Sequence, residues 1–275
     1  MRSEPFDTAS PTGWRLRLRQ TPNALRRALR HPDWIGENAR TMIRRRRDAR
    51  RQFSLLAHEA LFMDEAKAVA QVAGSSLEAY QAILRDFADG GALDVDAPAG
   101  AAPHPVYGGR PELIRIAYGL VRLCSPKTVV ETGVAQGATT AAILRAMQTN
   151  GDGQLHSVDL PVLYADEQEF VGRLVPAELR GRWTLRLGPS RRLLPPLVSA
   201  VAPLDVFLHD ADHSYEAQLE EYRTVWPHLR PGGVLLSDDI ENPAFPEFAN
   251  EVGARALLVG DPRASSAIGL LRKLD

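Results

Sequence analysis

The sequence predicts an α/β protein: a Rossmann-like, seven-stranded, mostly parallel sheet with a C-terminal antiparallel hairpin, preceded by a helical N-terminal segment. Three observations carry that prediction. From residue 112 onward, short β-branched and apolar runs alternate with helical stretches, the pattern of a parallel sheet covered by helices. The first of these runs ends in a glycine turn that opens a helix. The last two have no helix between them, so they should pair antiparallel.

Residues 1–13 are polar, with two prolines, and suggest no element. From Pro22 to Ala88 the pattern is helical, and the run IRRRRDARRQFSLLAHEALF mixes apolar and charged residues without strand-like alternation. A further helix is expected over Ser76–Phe87, with Ser75 or Ser76 as its cap. Residues 90–109 are rich in Gly, Ala and Pro, a linker composition. The division is therefore a helical, arginine-rich segment with linker (1–100) and an α/β domain (101–275). Apolar positions such as Leu55, Leu61, Tyr80, Ile83 and Phe87 need a surface to cover. Residues 40–88 should pack on the C-terminal domain or on a second subunit, and a homo-oligomer is expected.

Past the linker, a helix (112–123) leads into the strand TVVET (128–132), a glycine turn and an Ala-rich helix (138–147). LHSVDL (155–160), a helix near 165–175 and WTLRLG (183–188) follow. A helix containing Pro195 and Pro196 precedes DVFLHD (205–210), and a long helix runs on to Leu229. GGVLLSDD (232–239) is the fifth strand. ALLVG (256–260) and AIGLLRKL (267–274) form the terminal pair.

Bulk properties exclude several classes. With 275 residues, 44% hydrophobic and 24% charged, the chain can bury a large core. No window approaches the roughly 18 uninterrupted apolar residues of a membrane span, and no apolar run follows the N-terminal charges as a secretory signal needs. The single cysteine, Cys124, sits in an apolar helical pattern and reads as a packing residue, so the cytoplasm is the expected compartment. The net charge of −1 hides an asymmetry: residues 1–51 hold fourteen arginines, no lysine and five acids, a balance of +9. Such a split can mark an anionic partner. The C-terminal part shows no nucleic-acid motif, which favours a solvated basic helix packed against the acidic half of a dimer mate.

Candidate site residues gather at the strand ends. In ETGVAQGATT (131–140), Gly133 and Gly137 let the chain turn tightly and bring backbone amides to a ligand at a helix N-terminus. Their G-x-x-x-G spacing is not the G-x-G-x-x-G of a pyrophosphate site, and a glycine pair of this kind can also serve packing alone. Asp159 ends the second strand, where an acid can accept both ribose hydroxyls of a nucleoside; capping the turn before Pro161 is the alternative. Gly188-Pro189-Ser190 would form a turn beside the adenine. Ordered along the chain, these segments and RPGGVLLSDD resemble the class I S-adenosylmethionine-dependent methyltransferases over about 105–275. The resemblance implies S-adenosyl-L-methionine as cofactor, bound through Gly133, Gly137, Asp159, Gly188, Ser190 and Asp210. It also matches Glu131 and Thr139 to positions that serve the methionine end.

The fourth and fifth strand ends read HDADHSYE (209–216) and SDD (237–239). Three carboxylates, Asp210, Asp238 and Asp239, would converge there, a donor set that suits a hard divalent cation such as Mg²⁺. The segments resemble metal-dependent O-methyltransferases of catechols and caffeoyl-CoA. They depart from those at Asp239, where Asn is usual, and at His213, where Lys is usual. D-x-D-H-S-Y with His is closer to enzymes that methylate antibiotic sugars and to the cephalosporin hydroxylase-like group. The implied reaction is methyl transfer to a hydroxyl of a small molecule, with Mg²⁺ held by Asp210, Asp238 and Asp239 and His213 as base. A hydroxylase-like enzyme on the same scaffold, and a nucleic-acid-docking methyltransferase, are the alternatives. His213 as a helix-start surface residue, and the aspartates as loop caps without metal, are the bland ones. Tyr107, Arg110 and Tyr164 are candidates to border the acceptor pocket, the helical N-terminal segment is expected to shape that pocket or the oligomer, and His209 reads as a packing residue.

Overall fold

The computed structural model describes residues 32–51, 53–89, 110–161 and 171–274. The linker, Tyr107 and Tyr164 lie outside the described residues, as does most of the helix expected near 165–175.

Seven strands form one sheet in the order β3-β2-β1-β4-β5-β7-β6. The strands are β1 (Thr128–Thr132), β2 (Gln154–Asp159), β3 (Trp183–Leu187), β4 (Leu204–His209), β5 (Leu229–Ser237), β6 (Leu257–Val259) and β7 (Ile268–Arg272). β1 to β5 are mutually parallel wherever they pair, and β7 runs antiparallel to both β5 and β6. The expected antiparallel pair therefore exists, with β7 inserted between β5 and β6. The order reverses at β1, with β2 on one side and β4 on the other, which opens a crevice at the carboxyl ends of the strands.

Helices cover both faces. On one lie α4 (Pro111–Cys124) and α5 (Ala138–Asn150). On the other lie α6 (Ser190–Val201), α7 (Tyr215–Val225) and α8 (Ala244–Glu251). Each face has its own core, one around Ile116, Leu120 and Leu144, the other around Phe207, Tyr222 and Phe245. The central strands are buried almost throughout, which is why they read as continuous apolar runs rather than alternating ones.

The N-terminal part is less continuous than the sequence suggests. Helix α1 (Pro32–Asp48) stops at its arginine run. A short 3₁₀ segment (Leu55–Leu61) follows, and Phe62 bridges to Leu258 on the sheet edge. Helices α2 (Glu65–Ala73) and α3 (Leu77–Asp89) then pack into the core beside α4. Ser76 is the cap of α3, its Oγ accepting from the Ala79 amide at 3.1 Å. Tyr80 lies fully buried against α4, and Gly119 makes the room: a Cβ there would stand 2.2 Å from the Tyr80 ring. Residues 65–87 thus cover apolar surface on their own chain. No helix among the described residues is long and apolar enough to cross a membrane.

Candidate active site

A cavity of about 800 Å³ opens at the carboxyl ends of β1, β2, β4 and β5, within the usual range for a small-molecule site. The glycine loop forms its floor. Gly133 has φ +85°, Ala135 +47° and Gly137 +89°. At Gly133 a Cβ would stand 1.9 Å from the Asp210 carbonyl oxygen, so only glycine lets β1 and the β4 end approach this closely. Gly137 is the N-cap of α5, whose first turn brings Thr139 into the cavity wall.

Asp159 lines the same wall. Its Oδ2 accepts from the amides of Val134 at 2.7 Å and Ala135 at 2.9 Å, so the carboxylate braces the glycine loop, not the turn before Pro161. Oδ1 remains for a ligand. Burial raises its pKa, against the two amide bonds. Glu131 is placed beneath the loop rather than in the wall. It is fully buried, accepts from Thr140 (2.9 Å) and Ser157 (2.7 Å), and burial pushes it up to about 8 despite those bonds. Ser190 lines the cavity, and Gly188 precedes it in the turn after β3.

At the other end of the cavity the three aspartates and His213 do converge. His213 Nδ1 is 3.0 Å from Asp239 Oδ2, and Nε2 is 3.4 Å from Asp210 Oδ1. Arg110, at the N-cap of α4, reaches Asp238 at 3.0 Å and Asp239 at 3.7 Å and also bonds Ser266. It was a candidate by position only, and it lines the cavity. Asp239 holds φ +46°, a left-handed conformation that Asp tolerates better than most residues. Buried Asn242 donates to the His213 carbonyl and to Gln218, and Gln218 donates to the Asp239 carbonyl, tying the two loops together.

The charges in this cluster do not balance. Three carboxylates face one guanidinium and one imidazole. Burial, with repulsion from Asp210 and Asp239, pushes Asp238 up to about 7 against the pull of Arg110. Burial works against the charged form of Asp239 too, but His213 and Arg110 prevail and bring it down to about 2. For His213, burial favours the neutral ring, and the flanking Asp210 and Asp239 outweigh it to raise the pKa to about 10. The donor chemistry fits a divalent cation: clustered carboxylates of hard oxygen, with Asp238 held high for want of positive charge. Their oxygens are turned to His213 and Arg110, however, and among the described residues no group of three or more His, Cys, Asp or Glu has the arrangement of a metal site.

One feature escaped the sequence reading, and another was read only in outline, as an N-terminal helical segment shaping the acceptor pocket or the oligomer. The first is a buried pair under the cavity: His209 Nδ1 lies 2.8 Å from Glu221 Oε2, which also accepts from Thr132 at 2.6 Å. Burial raises the Glu221 pKa, but the His209 charge and the hydrogen bonds win and lower it. Adjacent apolar strands hid this pair, since only the fold brings α7 under β1 and β4. The other is α1, whose Glu37, Asn38, Thr41, Arg44 and Arg45 line the cavity. The arginine run pairs with Asp212, Glu216 and Glu220 of the same chain. The signal was present as an arginine-rich stretch and an acid-rich α7.

Residues 130–240 match a family described as a methyltransferase domain. No curated protein matches the chain. Solved structures similar to it include an O-methyltransferase from Bacillus cereus in complex with S-adenosylhomocysteine (16% identity, 75% of this chain and 96% of that chain, TM-score 0.49). Another is the O-methyltransferase TomG from Streptomyces achromogenes, involved in tomaymycin synthesis, in complex with S-adenosylmethionine (17%, 72% and 90%, 0.47). A third is the Podospora anserina methyltransferase PaMTH1 bound to S-adenosylhomocysteine (13%, 67% and 88%, 0.49). It is the family match, spanning the glycine loop, Asp159, Asp210 and both Asp238 and Asp239, that carries the assignment: residues 130–240 hold a methyltransferase domain.

Proposed function

We propose that the enzyme methylates a hydroxyl of a small, hydroxyl-rich molecule of natural-product or sugar type, with Mg²⁺ as an auxiliary ion and His213 as the base. The observation that carries this reading is the cluster of Asp210, Asp238, Asp239 and His213 in the wall of the cavity that Asp159 and the glycine loop also line. The glycine-loop end would take S-adenosylmethionine, with Asp159 Oδ1 facing the ribose and the first turn of α5 facing the methionine. The acidic end would take the acceptor.

The lining of that end favours a polar acceptor. Among the described residues the cavity wall holds no Phe, Tyr or Trp, and its acceptor side presents Asn38, Thr41, Arg45, Arg110, Asp212 and His213. Hydroxyls of an acceptor find donors and acceptors on several sides there.

Asp210, Asp238 and Asp239 would hold the divalent ion, which when bound supplies Lewis acidity that lowers the pKa of the acceptor hydroxyl. Asp239 would orient His213 by accepting from Nδ1–H, leaving Nε2, which faces Asp210 Oδ1 at 3.4 Å, to take the hydroxyl proton. The acceptor oxygen then forms its bond to the sulfonium methyl carbon. The carbon–sulfur bond breaks with its electron pair going to sulfur, and S-adenosylhomocysteine results. His213 can accept a proton only when neutral, so its contact with Asp210 must loosen before it serves.

A panel of hydroxylated sugars, polyketides and catechols, assayed with and without Mg²⁺ and with the products identified, tests the proposal. O-methylated sugar-like products formed only with the metal support it. Methylation confined to catechols contradicts the acceptor class, and metal-independent transfer contradicts the auxiliary ion.

A further inference from the structure

Helix α1 crosses the cavity from one end to the other and is fastened at both. Near its start, Asp33 pairs with Arg192 at 2.7 Å, Glu37 with Arg191 at 3.3 Å, and Trp34 is buried beside Gly188. Near its end, Thr41 Oγ1 donates to Asp212 Oδ2 at 2.9 Å, and Asp48 accepts from the Tyr215 amide at 2.8 Å, capping α7. Between them Arg44, with only 14% of its side chain exposed, lies 3.2 to 3.7 Å from carboxylates of Glu37, Asp212, Glu216 and Glu220.

The helix adds little to the core. Trp34 is its one buried apolar side chain, while Ile35, Met42 and Ile43 face outward. Charge, not apolar burial, therefore keeps it across the cavity, and such fastening weakens with salt and can open without disturbing the sheet. What it fastens to is the turn of the acidic end. Asp212 lies between Asp210 and His213, and its other oxygen accepts from the Ser214 amide at 3.2 Å.

We propose that α1 is a strap closing the cavity and that Arg44 is a positioning residue, holding Asp212 from across the cavity so that the Asp210–His213 turn keeps its place. The catalytic consequence rests on the reading of that turn as the acceptor end; the closure itself does not. Arg44 meets its carboxylates through a planar fork of donors, so lysine, a point charge, replaces it only in part.

The test compares Arg44→Ala, Arg44→Lys and, as a milder second variant, Thr41→Val, in the full chain. Arg44→Ala should raise the acceptor KM by about ten- to a hundredfold, the scale of a misplaced contact, with a smaller loss in kcat, and Arg44→Lys should recover part of it. Acrylamide quenching of Trp34, isolated by subtracting a Trp34→Phe control, should increase in Arg44→Ala and in the parent at 1 M NaCl, where screening reaches about 3 Å. Unchanged KM with a lowered melting temperature would reduce Arg44 to a structural residue and overturn the positioning role. Quenching that ignores both the variants and salt would overturn the strap. The quenching needs no acceptor, so it decides the closure even if the proposed acceptor class fails.

Discussion

At the glycine-loop end of the cavity the contacts are made by backbone: Gly133 and Gly137 at positive φ, the amides of Val134 and Ala135 on Asp159, and the first turn of α5. At the acidic end they are made by side-chain charge: Asp210, Asp238, Asp239, His213, Arg110 and, from across the cavity, Arg44. The first end is complete in itself, with every charge braced by a fixed dipole. The second is short of positive charge and depends on what is protonated, bound or closed at the moment. One chain thus carries a backbone-built end, proposed to cradle the cofactor, next to a site whose state can change.

The contrast is broken most severely at His213. His213→Ala should lower kcat by about 10²–10⁴-fold, the usual scale for a lost general base, with S-adenosylhomocysteine affinity intact by calorimetry. The pH dependence follows in sign. The base works when neutral, and Asp210 and Asp239 hold its pKa near 10, so the small residual rate at limiting Mg²⁺ should climb as pH rises toward that value. Added Mg²⁺ should move the rising limb to lower pH. A silent His213→Ala with a metal-dependent parent would leave the hydroxyl to be acidified without a protein base.

Next in size is Gly133→Ala, at the other end. The added Cβ meets the Asp210 backbone and sits at positive φ, a combination worth about 2–4 kcal/mol of strain and displacement. Thermal melts should show a less stable fold, and calorimetry a lost cofactor site. Asp159→Ala is milder. It removes charge-assisted hydrogen bonds and should weaken S-adenosylhomocysteine by about 1.5–3 kcal/mol, with no dependence on Mg²⁺. A metal-sensitive cofactor affinity in the parent would show that the two ends are not independent.

The glycine-loop end was legible in the sequence because backbone geometry leaves marks in residue type. Gly133 and Gly137 stand where the turn requires them, an acid ends β2 beside them, and the strand–helix rhythm gave the seven strands and the antiparallel terminal pair. Asp210, Asp238, Asp239 and His213 were legible as a group, since adjacent parallel strands bring their ends together. Their pairing was not legible: which oxygen faces His213 depends on Asn242, Gln218 and the left-handed turn at Asp239. The partners of Glu131 were not legible either: its carboxylate accepts from Thr140 and Ser157, which only the fold brings to it. The pairing of α1 was hidden because arginines at its positions are equally compatible with solvent, nucleic acid or a partner. Only the fold sets them opposite Glu216 and Glu220.

The most direct test of a charge-deficient, metal-assisted acidic end is the initial rate of S-adenosylhomocysteine release with a hydroxylated acceptor, first in EDTA and then across a Mg²⁺ titration, for the parent and Asp238→Asn. The parent should be nearly inactive in EDTA and recover saturably with Mg²⁺, while Asp238→Asn should need far more metal at unchanged cofactor affinity. Full activity in EDTA, or a Mg²⁺ response that Asp238→Asn leaves untouched, would contradict the account.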